Sequence, residues 1–165
     1  KAVLRLLEEP SQVATPQDKI LLMGQAKKQA LDHSLRMATE LGCTEIRIFE
    51  AHRSIAKGNH TDRWIRLMEG CLAQCGRTET PTLSHHNSLQ SALADLPEGT
   101  RWVFHPSSSS NPSRPEGSTI LVGPEGGLSP EEIQESLESG FLPLSLGEWV
   151  LRCDTATAAA LSLLV

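Results

Sequence analysis

The sequence has little of what marks membrane-bound, secreted or metal-binding proteins. No apolar run approaches the roughly 20 residues that a membrane-spanning helix needs, and no stretch has the pattern of a secretory signal peptide. The four cysteines include no Cys-x-x-Cys pair, and no third metal ligand stands at a recognised spacing from His85 and His86. These absences predict a cytoplasmic protein with reduced thiols, no bound metal, and a polar loop around the two histidines.

Positive charge is also scarce. The 165 residues include 15 lysines and arginines against 20 acidic residues, which gives a formal net charge of -5. A nucleic-acid-binding protein normally presents a basic face to the phosphates, so this composition argues against strong RNA binding by this chain alone. Hydrophobic residues make up 39% of the sequence and charged residues 21%, which is typical of one globular domain of ordinary size.

The most informative segment is a glycine-rich turn between a strand and a helix. Residues 119–122 form an apolar strand candidate, and residues 123–127 (GPEGG) follow directly. Ser129 is placed to cap the next helix, with Pro130 at its first position and Glu132 completing a Ser-x-x-Glu capping box. Such a corner binds ligands in α/β proteins, although the patterns that hold phosphates are missing here. From this segment alone, a tight turn without a ligand is the alternative.

Strand and helix patterns alternate along the rest of the chain. Strands are predicted at 20–23, 45–49, 102–104 and within 141–146, and helices at 25–41, 61–75, 88–96, from 130 and from 154. This alternation predicts a parallel sheet covered by helices on both faces. Asp154 or Thr155 is the expected N-cap of the last helix, and residues 106–117 are expected to form a solvated loop.

Three segments of the second half resemble one protein family. They are ILVGPEGGLSPEEI (120–133), GFLPLSLG (140–147) and VLRCDTATAAALSLL (150–164), with weaker matches at 38–42, 52–54 and 74–77. Together they closely resemble the C-terminal half of the bacterial 16S ribosomal RNA uridine-N3 methyltransferases. That family belongs to the SPOUT superfamily of knotted, S-adenosylmethionine-dependent enzymes.

The resemblance implies an α/β fold in which a SPOUT-type parallel sheet is flanked by helices and ends in a C-terminal trefoil knot. Residues 19–165 would form the methyltransferase domain. Residues 1–18 would be the linker or remnant of an N-terminal, PUA-like RNA-binding domain, which would supply the missing positive charge. The implied partner is ribosomal RNA in the small ribosomal subunit, and the implied assembly is a homodimer away from membranes.

The resemblance also implies a cofactor, S-adenosylmethionine, held where three turns meet in one pocket. The implied cofactor-binding residues are Leu121, Val122, Gly123, Glu125, Gly126, Ser145, Leu146, Gly147, Val150, Leu151, Thr155 and Ala156. Glu125 has two alternative roles. It would either favour the positive sulfonium or stabilise a helix N-terminus.

The implied reaction depends on placing the uridine against the methyl group and on stabilising the negative charge that the uridine acquires. Uridine N3 must lose its proton before it attacks the methyl group, and the negative charge that develops suits an arginine. Arg152 is the catalytic candidate, with a structural salt bridge as the alternative. Arg53 and Arg77 match arginines of the weaker motifs and are substrate-binding candidates, or else solvated surface residues. Asp154 is a conceivable general base, but capping a helix already explains it.

The segments that correspond to the family's substrate-binding motifs match it less well than the segments that correspond to its cofactor-binding turns. Residues 24–32 replace a stretch that is usually basic, and Glu148 and Trp149 stand where a proline and a basic residue are common. We therefore expect an S-adenosylmethionine-dependent RNA methyltransferase that acts on N3 of a uridine in 16S ribosomal RNA. The alternatives are a SPOUT methyltransferase for another RNA position and a catalytically silent RNA- or ribosome-binding module.

Overall fold

The computed structural model describes residues 18–105 and 119–164. The expectations for residues 1–17 and for the loop at 106–117 lie outside these residues. The described strands are β1 (Ile20–Gly24), β2 (Glu45–Phe49), β3 (Thr82–His86), β4 (Arg101–Phe104), β5 (Thr119–Val122) and β6 (Phe141–Leu144). The described helices are α1 (Lys28–Glu40), α2 (Thr61–Cys75), α3 (Leu89–Leu93), α4 (Pro130–Glu138) and α5 (Cys153–Leu163).

The strands form a single sheet in the order β3-β2-β1-β5-β4-β6, and every pair in it is parallel. All carboxyl ends of the strands therefore lie along one edge. The chain leaves β1 towards β2 and β3 on one side, then crosses to β4, β5 and β6 on the other side. The gap between β1 and β5 is consequently the point where the direction of winding switches.

Helices cover both faces of this sheet, as the alternating sequence pattern predicted. Successive strand residues point to opposite faces, so each strand contributes to two hydrophobic cores. Leu21 and Met23 pack in the core beneath α1, α2 and α5, whereas Ile20 and Leu22 pack in the core beneath α3 and α4. Burial on both faces explains why β1 is apolar along its whole length, since neither face meets water.

The starts of the helices confirm one prediction and correct another. Ser129 Oγ accepts a hydrogen bond from Glu132 N at 3.2 Å, and the Glu132 carboxylate accepts one from Ser129 N at 2.8 Å, so the predicted capping box is present. The predicted cap of the last helix is wrong. Helix α5 begins at Cys153 with Arg152 as the N-cap, which places Asp154 and Thr155 inside the first turn.

The predicted polar loop around His85 and His86 is also wrong, because these residues end strand β3. This strand lies at an edge of the sheet and its residues are only partly buried, so its sequence lacks a continuous apolar run. His85 Nε2 lies 3.1 Å from Gln25 Oε1.

Three further features bear on the predictions from composition. All four cysteines are free. Within residues 18–105 and 119–164, no three His, Cys, Asp or Glu side chains are grouped so that they could hold a metal ion. No helix in the same ranges has the length and apolarity to cross a membrane.

Substitution of Gly24 by alanine should destabilise the fold, because a Cβ there would lie 2.5 Å from Pro124 Cδ and 2.9 Å from Pro124 N. We expect Gly24→Ala to lower the free energy of unfolding by about 1–3 kcal/mol, the usual effect of overpacking. The matched control is Gly70→Ala in the middle of α2, where an added Cβ meets nothing within 4 Å. That change should stabilise the protein by about 0.5–1 kcal/mol. Chemical denaturation measures both, and equal effects would contradict the assigned contact.

Candidate functional site

A cavity of about 520 Å³ opens at the carboxyl edge of the sheet, beside the β1–β5 switch point. Ligands of open α/β sheets bind at such points because the loops diverge there and leave a crevice. The lining residues are Ala30, Arg53, Phe104, His105, residues 122–128, Ile133, residues 150–153 and Ala156. The cavity therefore combines the glycine-rich turn after β5, the end of β4, and the segment that enters α5.

The glycines of the turn allow close contacts between backbone segments. A Cβ on Gly123 would lie 2.9 Å from Leu128 N, so glycine is needed for the chain to fold back on itself. Gly127 has a φ of 71°, which disfavours other residues, and its N–H donates to Pro124 O at 2.8 Å. A Cβ on Gly126 would lie 2.9 Å from Arg53 Cβ. The turn is thus compact and held against the loop that follows β2.

Two carboxylates fix this turn relative to its neighbours. Glu125 Oε1 accepts a hydrogen bond from Lys27 N at 3.0 Å, so the side chain holds the start of α1 while it also lines the cavity. This contact supports the helix-stabilising alternative for Glu125. Glu132 is only 4% exposed, and besides capping α4 it accepts a bond from His52 N at 2.9 Å. The loops after β2 and β5 are therefore connected by buried charge-assisted hydrogen bonds.

Arg152 lies at the mouth of the cavity. Its side chain is 76% exposed, and its Nε lies 3.6 Å from Asp154 Oδ1. Asp154 is largely buried, and its other oxygen lies 3.4 Å from His33 Nδ1 on α1. This arrangement places an exposed cation beside the cavity with a single fixed carboxylate behind it.

The thiol of Cys153 also lines the cavity but is unsuited to nucleophilic chemistry. Burial is the main cause that raises its pKa to about 11, and the negative charges of Glu125 and Asp154 add to the effect. The thiolate is the reactive form of cysteine, so this side chain is neutral and inert near neutral pH.

The structure brings most of the predicted site residues together. The residues predicted from sequence that do line the cavity are Val122, Gly123, Glu125, Gly126, Val150, Leu151 and Ala156, together with Arg53 and Arg152. Arg53 donates from Nη1 to Gly126 O at 3.2 Å, which ties it to the turn.

The other predicted cofactor residues are not part of this lining. Leu121 is fully buried within the sheet, and Thr155 is exposed on the first turn of α5. Ser145, Leu146 and Gly147 form the turn after β6, where Gly147 N donates to Ser145 Oγ at 3.3 Å. Ligand contacts by these five residues stay predictions.

Arg77 lies at the opposite edge of the sheet, away from the cavity. Its Nη1 donates to Thr39 O at 2.7 Å and to Cys43 O at 2.8 Å, at the end of α1 and just before β2. The Thr39 carbonyl lies in the last turn of α1 and the Cys43 carbonyl in the connection to β2, so these bonds give Arg77 a role in the fold. The geometry lends no support to the predicted contact with substrate.

Several lining residues were missed by sequence reasoning. Ala30 lies on α1, Phe104 and His105 lie at the end of β4, and Ile133 lies on α4, so only the tertiary fold brings them to one place. Only Phe104 could have been suspected from the sequence, and only on weak grounds. Phe104 ends a predicted strand, and the carboxyl ends of parallel strands are where ligands bind.

Comparison with known proteins gives concordant findings. A family model described as an RNA methyltransferase domain matches residues 13–165. The chain is 29% identical over 158 residues to ribosomal RNA small subunit methyltransferase E of Bacillus subtilis, an overlap that covers 84% of this chain and 62% of that protein.

Two solved structures have a similar fold. Ribosomal RNA small subunit methyltransferase E from Neisseria gonorrhoeae bound to S-adenosyl methionine matches with a TM-score of 0.82 and 27% identity, covering 89% of this chain and 65% of that one. A putative methyltransferase from Legionella pneumophila in complex with the bound cofactor SAM matches with a TM-score of 0.80 and 32% identity, with the same two coverages. The chain therefore spans less than two thirds of the length of these relatives.

Removal of the Glu132 carboxylate should loosen both loops that frame the cavity. We expect Glu132→Ala to lower the free energy of unfolding by about 1.5–3 kcal/mol, the range for a hydrogen bond to a charged group. Hydrogen exchange of the His52 and Ser129 amides should accelerate, because both donate to this carboxylate. The control is Glu69→Ala, an exposed glutamate of α2, which should leave both amides unchanged. Unaltered exchange in Glu132→Ala would show that the carboxylate does not hold the loops.

Proposed function

The chain belongs to the RNA methyltransferase domain family, and we propose that it transfers a methyl group from S-adenosylmethionine to N3 of a uridine in 16S ribosomal RNA. The observation that carries this proposal is the cavity at the β1–β5 switch point, which is lined by two of the three motifs that the family resemblance assigns to the cofactor. The two relatives of known structure named above, each solved with S-adenosylmethionine, support the same ligand. The protein would act in the cytoplasm on the small ribosomal subunit.

The residues present fit this cofactor. A cavity of about 520 Å³ is within the usual range for small-molecule sites. Val122, Leu151 and Ala156 offer apolar surface for the flat adenine, while the glycine-rich turn offers backbone amides and carbonyls for its edge. Glu125 places a carboxylate at the wall, which favours a positively charged ligand. When bound, the cofactor supplies a methyl group that is already activated for transfer.

The chain's own contribution is to orient the uridine and to stabilise the charge it acquires. Deprotonation at N3 leaves negative charge on the ring oxygens O2 and O4, and a guanidinium can stabilise it. Arg152 is the lining cation with the freedom to reach a substrate over the cavity, since most of its side chain is exposed. Asp154 is held by His33 and sits behind Arg152, so we assign it the positioning of Arg152 rather than proton abstraction.

We also propose the finer features that the family implies, a C-terminal trefoil knot and a homodimer. The meeting of residues 122–128 with residues 150–153 in one cavity, across the intervening α4 and β6, supports a threaded C-terminal segment.

The proposed homodimer is supported by exposed apolar side chains. Trp149 is 80% exposed and Val150 is 81% exposed beside the cavity mouth. A second copy packed there would bury this apolar surface and close the site. Sedimentation at several protein concentrations measures the dimer directly.

Replacement of Arg152 tests the proposed catalytic role. We expect Arg152→Ala to lower the rate of single-turnover methyl transfer to small ribosomal subunits by roughly 10²- to 10³-fold, the effect of losing one preorganised donor. Affinity for S-adenosylmethionine should change little. Arg152→Lys should restore little of the lost rate, because a lysine ammonium cannot form the coplanar hydrogen bonds that a guanidinium donates to a uridine oxygen.

The matched control is Arg36→Ala, which removes an exposed arginine of α1 without touching the cavity and should retain the full rate. Normal methyl transfer by Arg152→Ala, or a loss explained by early thermal melting, would make Arg152 structural. Absence of transfer by the unaltered folded protein, with RNA binding retained, would favour the silent binding module instead.

A further inference from the structure

A second cavity, of about 330 Å³, opens at the same edge of the sheet on the other side of α1. The N-terminal end of α1 forms one wall with Lys28. The start of α2 forms the facing wall with His60, Arg63 and Trp64. Lys57 comes from the loop between β2 and α2. Among the described residues that line this cavity none is acidic, although the chain as a whole carries a net charge of -5. Positive charge is therefore concentrated here.

The backbone at this cavity also favours an anion. The Lys27 side chain does not cap helix α1, and the first turn of the described helix holds no acidic residue, although Lys27 N itself donates to Glu125 Oε1. The helix dipole and the first amides of the helix attract negative charge to this end. Arg63 is held by Asp32 through two hydrogen bonds of 2.7 and 2.9 Å, which fix its direction and neutralise its charge. Lys28 and Lys57 remain exposed for a ligand.

One buried donor at the cavity lacks an acceptor. Trp64 is only 1% exposed and lines the cavity, and its indole N–H has no hydrogen-bond partner within the described residues. An indole nitrogen can only donate, so the group it needs is an acceptor. His60 packs edge-on against this ring, with centroids 5.8 Å apart, and keeps it in place.

Hydrogen bonds join the floor of the cavity to the loop that carries Lys57. Gln25 is 1% exposed, donates from Nε2 to Gly58 O at 2.9 Å, and lies 3.1 Å from His85 Nε2 through its Oε1. Gly58 N in turn donates to Glu50 Oε1 at 3.0 Å, so the loop that carries Lys57 is bonded on both sides. The cationic loop is therefore held over the cavity before any ligand arrives.

From these features we propose that the second cavity binds a backbone phosphate of the RNA strand that carries the target uridine. This rests on the proposed function. The same helix and the same loop border both cavities, because Ala30 lines the first and Leu31 the second, and Arg53 and Lys57 belong to one loop. A strand that presents its uridine to the first cavity can therefore place a neighbouring phosphate in the second. Such a contact positions the strand without reading its sequence.

The test compares two variants that each remove two positive charges. Lys28→Gln combined with Lys57→Gln removes the exposed cations of the cavity, whereas Lys19→Gln combined with Arg36→Gln removes two cations away from it. Binding of a uridine-containing single-stranded RNA is measured across a range of salt concentrations. We expect the slope of log K against log salt to become shallower in the cavity variant by about 0.7 for each phosphate that the protein no longer neutralises. The control variant should keep the slope of the unaltered protein.

Methyl transfer provides the second readout. In the cavity variant KM for RNA should rise while kcat and the affinity for S-adenosylmethionine stay unchanged, since only the positioning of the strand is impaired. Equal slopes in the two variants, with methyl transfer intact, would overturn the phosphate site and leave the proposed function standing. If the unaltered protein transfers no methyl group, the proposed function fails, and the salt slopes still test phosphate binding.

A third arm separates RNA from free phosphate as the source of the anion. Inorganic phosphate should compete with RNA less effectively in the cavity variant than in the control variant. A cavity variant with weakened affinity for inorganic phosphate and an unchanged RNA slope would identify a site for the free anion and overturn the assignment to RNA. Trp64→Phe removes the unpaired donor together with part of a buried ring, and it should also weaken RNA binding; thermal melting checks that this variant stays folded.

Discussion

The site depends on how closely the end of β1 approaches the turn that follows β5. Gly24 lies where any side chain would overlap Pro124, so the two loops at the switch point can meet only because Gly24 has no Cβ. That approach lets the Glu125 carboxylate reach the start of α1, and it brings the loop after β2 close enough for Arg53 to contact Gly126. The first cavity is the space that remains on the open side of this junction.

The two cavities differ in their charged groups. The first cavity has Glu125 in its wall and Asp154 behind it, alongside Arg53 and Arg152, and the carboxylates suit a positively charged methyl donor. The second has no acidic side chain among its described lining residues and has the exposed Lys28 and Lys57, which suits a phosphate. Under the proposed function, an acidic protein would hold RNA in this way, because the field at a short distance depends on local groups more than on net charge.

Features set by local sequence could be predicted, and those set by tertiary contacts could not. The capping box at Ser129 and the end of α2 at Gly76, with a φ of 73°, depend on neighbouring residues alone, and both were predicted. Strand β3 was missed because an edge position leaves its residues half-exposed and its pattern polar. The substrate role of Arg77 stays a prediction from a motif, and the sequence did not reveal that its guanidinium donates to the carbonyls of Thr39 and Cys43. In the candidate site, the glycine-rich turn and the segment entering α5 were identifiable because family motifs cover them. Ala30 and Phe104 were not, since no motif indicates which helix or strand faces the turn.

The most direct measurement of the central claim is a calorimetric titration of the folded protein with S-adenosylmethionine and with S-adenosylhomocysteine. We predict saturable binding of both, with one ligand per chain, because the cavity at the β1–β5 junction is formed by each chain's own residues. No binding of either ligand, under conditions where thermal melting shows the protein to be folded, would contradict the cofactor assignment.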